Sequence, residues 1–372
     1  MDLTVLAQNL KRLRKQLGVS QEKLAKKSGL SEQGIKKIER GGSATPRVSS
    51  LEAIADALGV GMGELFKPVR VLKAVRFRSQ KRMKCRDQVL ADTSRMLDDF
   101  NFLEKTLGQS PEFRLKSIVS KAKGKSPVAV AAECRKALSL KEDEPIHDIC
   151  GLLEHAGIKL IPVKVSSPGF FGLSVGEADG GPAIAVNMHE KISVERMIFS
   201  AAHELGHLIM HPKAYDSREI SECKQEEDEA NSFAGHFLLP DSGFRKEWDE
   251  SSGMDLVRRV FKIKRIFRVS YMTVLRRLID NGLADNRIYG EFKYRYSRRS
   301  GEKISIHEEP YGVTDEPLHL LRLDFETNRL NRLTMDAMKS ELISISRGAE
   351  ILGIGVSEMQ DRVAEADLET VL

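Results

Sequence analysis

Apolar residues recur at helical spacing from the start of the chain. Val5, Leu6, Leu10, Leu13 and Leu17 share one stripe of a helix over residues 4–17. Ser20 caps a second, short helix that runs on through Gln21 and Glu22 and stops at Gly29. Leu30 leads to another cap at Ser31, and SEQGIKKIERG turns Ile35 and Ile38 inward before ending at Gly41-Gly42. Past a loop with Pro46, residues 49–58 place Leu51, Ile54, Ala55 and Leu58 on one face. The pattern predicts five short helices in about 66 residues, centred on two joined by a tight, glycine-bearing turn.

Residues 67–126 read as helical, basic first and mixed later, with QVLADTSRMLDDFNFLEKTLG ending at Gly108 and KAKGKSP (121–127) as a linker. A helix over 127–138 follows, then IHDICGLLEHAGIKLIPVKV as helix, glycine turn and strand. PAIAVNMH (182–189) is a second strand, short and apolar between Gly-Gly-Pro and Asn. Residues 194–211 and 224–239 are helices. Beyond 241, VSYMTVLRRLIDNGL and ISISRGAEILGIGVSEMQDRV have helical spacing, and RIYGEFKYRYSRR reads as a basic strand or hairpin. The expected fold class is α+β, mostly helical: an all-α five-helix unit (1–68), a basic helical connector (69–126), a core with a small sheet (127–245) and a mixed C-terminal region (246–372).

Charge sharpens this division. Residues 1–86 hold 20 Lys/Arg against 7 Asp/Glu, a balance of +13, and the remainder holds 39 against 47, or −8. A basic first quarter on an acidic body points to a polyanion partner for that quarter alone. No apolar run approaches the roughly 20 residues of a membrane helix, and the N-terminus lacks the apolar core of a signal peptide. Cys85, Cys134, Cys150 and Cys223 form no CxxC pair, which fits a reducing cytoplasm and no membrane.

The chemistry is concentrated in AAHELGHLIMH, residues 201–211. His203 and His207, four apart on a helix, share a face and together can bind one Zn²⁺, while Glu204 lies one step round, in reach of a water. Ile198, Ala201, Ala202, Leu205 and Ile209 bury that helix. The plainer alternative is a buried helix with two hydrogen-bonded histidines. A catalytic zinc takes three protein ligands. The helix KQEEDEANSFAGHFLLP offers acids, and its apolar face is Ala230, Phe233, Ala234, Phe237 and Leu238. Asp228 and Glu229 fall off that face and Glu226 and Glu227 flank it, so spacing leaves Glu226 or Glu227 as the third ligand. Tyr215 and His211, nearby in sequence, read as structural.

RMIFSAAHELGHLIMH followed by EDEANSFAGHFLLP resembles the ImmA/IrrE metallopeptidases over about residues 125–245, and GFFGLSV and PAIAVN resemble that family's strands beside the site. The second motif fits from Glu227 through Ala230-Asn231, Phe233-Ala234 and Leu238-Leu239-Pro240. The resemblance implies a zincin-like domain with one Zn²⁺ per chain on His203, His207 and Glu227, and Glu204 as general base. It also implies a substrate extended along the 183–187 strand.

SQEKLAKKSGLSEQGIKKIERG is similar to the XRE (lambda-repressor-like) helix-turn-helix family over about 6–66. In that family the residue at Gln21 caps its helix against a DNA phosphate and the third helix enters the major groove. The resemblance implies that Glu32, Gln33 and Lys37 face base edges and that Lys36 and Arg40 reach base or backbone. Glu32 departs from the amide common at its position. Double-stranded DNA is then a partner, with a homodimer expected on a two-fold site. Together the resemblances imply a zinc endopeptidase and DNA-binding regulator. It would cleave an XRE-type repressor, or its own KPVRVLKAVRFRSQ connector, to derepress stress-response or mobile-element genes. The competing expectation is a regulator whose peptidase-like domain senses or binds a partner without cutting.

Overall fold

The computed structural model describes residues 3–42, 45–66, 72, 75–79, 86–166, 169–215, 223–301 and 316–369. The chain forms two compact units, Met1–Val71 and Leu72–Leu372. Flanking residues 67–71 and 80–85 of the connector lie outside the described residues.

In the first unit, α1 (Leu3–Gln16), α2 (Gln21–Ser28), α3 (Glu32–Glu39) and α4 (Val48–Leu58) precede a single 3-10 turn, Met62–Leu65. The caps are those the sequence predicts. Ser20 Oγ accepts from the Lys23 N–H and Ser31 Oγ from the Gly34 N–H, each at 3.0 Å. Gly29 ends α2 at φ 69°, which a side chain would resist. Leu6, Leu10, Leu24, Ile35, Leu51, Ile54 and Leu65 make the core. Leu17 is a correction: α1 stops one residue earlier, Gly18 turns the chain, and Leu17 is left 52% exposed.

The second unit is built round a four-stranded sheet in the order β1-β3-β4-β2, from β1 (Val75–Ser79), β2 (Lys159–Val163), β3 (Phe170–Val175) and β4 (Ala183–Asn187). β4 runs parallel to β2 and antiparallel to β3, and β1 is antiparallel to β3. Alternation along the strands divides the core. Leu160, Ile184 and Val186 face one helical layer, and Ile161, Val163, Ala183 and Ala185 face the other.

Between β1 and β2 run α5 (Arg86–Leu107), α6 (Lys116–Val119), α7 (Pro127–Ala137) and α8 (Ile149–His155). After them come α9 (Val194–Met210), α10 (Lys224–Leu238), α11 (Asp241–Glu250), α12 (Leu256–Phe267), α13 (Tyr271–Asp280) and α14 (Ile288–Ser300). The chain closes with α15 (Arg329–Lys339), α16 (Ile345–Leu352) and α17 (Val356–Glu369). Residues of α7 to α14 share the first layer with α9, and α5, α15 and α16 cover the opposite face.

Two expectations change here. Residues 75–79, read as part of a helical connector, are the edge strand β1. Residues 287–299, read as a basic strand or hairpin, lie in α14. Ile288 and Phe292 recur at helical spacing, and Phe292 stacks on Tyr271 at 5.1 Å, a contact the aromatic-rich sequence alone does not disclose.

Candidate metal centre

Helix α9 is capped by Ser193, whose Oγ accepts from the Arg196 N–H at 3.3 Å, and it is buried from Met197 through Ile209 except at Phe199. The burial places His203 and His207 side by side, Nε2 to Nε2, at 2.9 Å. Helix α10 comes close because Gly206 has no side chain. A Cβ there would stand 3.0 Å from Phe233 Cδ1 and 3.4 Å from Ala230 Cα. That approach carries Glu227 to the histidines: its carboxylate oxygens are 3.3 Å from His203 Nε2 and 3.2 Å from His207 Nε2. Of the two acids that spacing leaves open, Glu227 joins the histidines, and Glu226 pairs with Arg76 of β1. Arg76 also reaches Glu227 Oε1 at 3.3 Å.

The second nitrogens show what faces the centre. His211 Nε2 stands 2.8 Å from Glu229 Oε2, and a carboxylate only accepts, so that nitrogen carries the proton. With the proton on Nε2, His211 offers Nδ1 as the acceptor, 3.0 Å from His207 Nδ1, which donates. His203 Nδ1 likewise meets Asn231 Oδ1 at 3.0 Å. Both Nε2 atoms are therefore acceptors. Opposing tendencies act on Glu227 and His207. Burial raises the Glu227 carboxyl, and protonated histidines hydrogen-bonded to it would hold it well below the carboxylate range. Burial pushes His207 down to about 4, against the bond to Glu227. The rings are fully buried, and that favours neutral imidazoles. Two nitrogen lone pairs and a carboxylate then converge with no proton between them, a donor set that fits a divalent cation such as zinc.

Glu204 is held separately. Tyr215 Oη donates to Ser174 Oγ at 2.7 Å, and Ser174 Oγ donates to Glu204 Oε2 at 2.7 Å. Gly172 makes room for it: a Cβ there would lie 3.2 Å from Glu204 Cγ. Burial raises the Tyr215 phenol, so it stays a donor at neutral pH. Asn231, Ser174, Arg76 and the Glu229–His211 pair are contributions that sequence reading did not assign. His211 repeats the four-residue spacing of His203 and His207 and was legible as a neighbour. Ser174 and Arg76 arrive through strand pairing, which leaves no local signal.

Beside Asn231, α9, α10 and α13 line an open pocket of about 770 Å³. Glu195 and Glu316 line it, and both pair with the buried Lys264 Nζ, Glu316 at 3.2 Å. Burial pushes the Glu316 carboxyl up to about 7, with Lys264 opposing.

In the first unit, Glu32, Gln33, Lys37 and Arg40 are exposed on or at the end of α3, and Lys36 is half-buried. Gln33, Lys37 and Arg40 follow one another at four- and three-residue steps along one face. Lys36 Nζ pairs with Glu32 Oε1 at 2.6 Å. Gln21 is half-buried and donates through Nε2 to Glu39 Oε2 at 2.6 Å, and Arg14 Nε donates to Glu39 Oε1 at 2.5 Å.

Comparison with known proteins agrees with this division. Residues 154–279 match the IrrE N-terminal-like domain, a peptidase family, and residues 10–65 match the helix-turn-helix family. The uncharacterized HTH-type transcriptional regulator y4dJ of Sinorhizobium fredii (strain NBRC 101917 / NGR234) is 41% identical over 69 residues, 18% of this chain and 88% of that protein. The apo form of ComR from S. thermophilus aligns over 99% of each chain at 13% identity, with a TM-score of 0.17. No helix among the described residues is long and apolar enough to cross a membrane.

Proposed function

The chain belongs to the helix-turn-helix transcription regulators that carry an IrrE-like peptidase domain, and on that premise we propose that it is a zinc-dependent endopeptidase that cleaves a repressor protein. The observation that carries this reading is the convergence of His203, His207 and Glu227 beside a separately held Glu204. A structural zinc site has no use for that fourth group.

Zinc on His203, His207 and Glu227 supplies Lewis acidity toward a peptide carbonyl and acidifies a water. The remaining work falls to the chain. Glu204 takes the proton of the attacking water and returns it to the leaving amine. Ser174 and Tyr215 keep the carboxylate in one orientation for both transfers. Asn231 and His211 keep each imidazole in the tautomer that presents Nε2. Gln33, Lys37 and Arg40 are the groups best placed on α3 to read DNA, with Glu32 and Lys36 partly neutralising each other and Gln21 braced by Glu39.

The test is N-terminal mapping of the proteome in cells that express the wild type or Glu204→Gln. A new N-terminus within a helix-turn-helix repressor, seen with the wild type alone, supports cleavage. Identical maps together with normal gene regulation by Glu204→Gln overturn it in favour of a non-cleaving regulator.

A further inference from the structure

The strand along which the resemblance places a substrate cannot receive one. β4 is hydrogen-bonded on both sides, to β2 and to β3. The metal centre lies instead beside β3, whose Ser174 bonds Glu204 and whose Gly172 makes room for it. β3 has β4 on one side, and its other side is closed by β1. That strand belongs to neither matched region, since it lies between residues 65 and 154. In the ladder Arg76 stands directly opposite Ser174. Its guanidinium bonds Glu226 and Glu227. Residue 76 thus has its backbone against the residue that orients Glu204 and its side chain on the carboxylate that joins the histidines.

We propose that the outer edge of β3 is the peptide-docking edge of this domain, and that residues 75–79 of the chain are its resident occupant. An extended peptide adds to a sheet by taking up the free ladder positions of an edge strand, and these are the positions that β1 fills. The carboxylates of Glu226 and Glu227 select a basic residue opposite Ser174. The occupant is an extended segment of this chain, and an incoming substrate of the same chemistry must displace it. A tethered strand competes at an effective concentration on the order of millimolar, and a free peptide binds only the open fraction. Calling the displaced species a substrate rests on the peptidase reading; the docking edge and its occupant do not.

The test uses the full chain with Glu204→Gln, so that binding is read without turnover. The probe is a fluorescein-labelled synthetic peptide of residues 72–80. Arg76→Pro with Phe77→Pro displaces the strand, because adjacent N–H groups point to opposite sides and one proline must delete a ladder bond. The displaced chain is expected to bind the probe at least about tenfold tighter than the Glu204→Gln chain. Hydrogen exchange at residues 172–175 should speed up in it and slow again when the peptide is added. Equal affinity for the two chains, or unchanged exchange at 172–175, overturns the proposal. If the double-proline chain does not fold, Arg76→Gln replaces it, and equal affinity there overturns the proposal too. Failure of the peptidase reading shows up separately, as the absence of any cut by the Glu204-bearing chain that binds the probe.

Discussion

Asn231 and His211 decide which nitrogen each imidazole turns toward Glu227, and this makes individual side chains separable by experiment. Glu227→Ala removes one of three converging donors, so the chain should lose its zinc on purification. Glu226→Ala removes only a partner of Arg76 and should keep one zinc per chain by elemental analysis. Equal zinc in both variants would dismiss Glu227 as a ligand. His211→Ala releases the tautomer of His207, and loss of a partner of this kind weakens zinc about 10- to 100-fold, to be measured by chelator competition. The histidines and Glu204 were legible because one helix sets their spacing. The choice between Glu226 and Glu227 was not, from geometry alone: both flank the apolar face of α10, and it is Arg76, far away in sequence, that takes Glu226.

At the scale of elements, local chemistry is legible wherever a cap or a glycine punctuates the chain. Ser20, Ser31, Gly29 and Gly108 mark helix ends as expected. Elements that depend on distant partners were not legible. The 75–79 strand exists because β3 offers an edge. The 287–299 segment is helical because Phe292 meets Tyr271 and Phe261, the latter edge-on at 5.8 Å. Phe292→Ala should therefore cost about 3–5 kcal/mol of the second unit's stability, seen in denaturant melts. A loss under about 0.5 kcal/mol, the usual effect at a surface position, would mean that α14 does not pack as described. The same holds for β4, whose apolar run and turn residues fixed it as a strand but said nothing of its two neighbours.

For the molecule as a whole, the chain forms two compact units, and the charge does not divide where they do: residues 1–71 hold 13 Lys/Arg against 7 Asp/Glu, and the seven Lys/Arg of residues 72–86 belong to the second unit. The chemistry of the two units should respond to different variables. Zinc titration should raise the melting temperature of the full chain in step with ligand concentration, and Glu227→Ala should abolish the rise. Glu316 contributes to the pH response with a definite sign. Its folded pKa of about 7 lies above the ordinary 4.5, so its contribution is fully present below about 4.5 and is lost as pH rises through 7. The stability of the wild type minus that of Glu316→Gln should fall by on the order of 3 kcal/mol across that window. A pH-independent difference would show that Glu316 does not titrate there.

Gly206 sets the distance between the histidine helix and the glutamate helix, through its close approach to Phe233 and Ala230. That separation works as a caliper for ionic radius. One added methyl group would press on the Phe233 ring at 3.0 Å, and any outward give of α10 in response would widen the span between the carboxylate and the imidazoles that a bound ion must bridge. Gly206→Ala is expected to shift the zinc-to-cadmium affinity ratio toward cadmium, read by competitive titration of the two ions; an unchanged ratio would mean that the Phe233 ring turns aside instead.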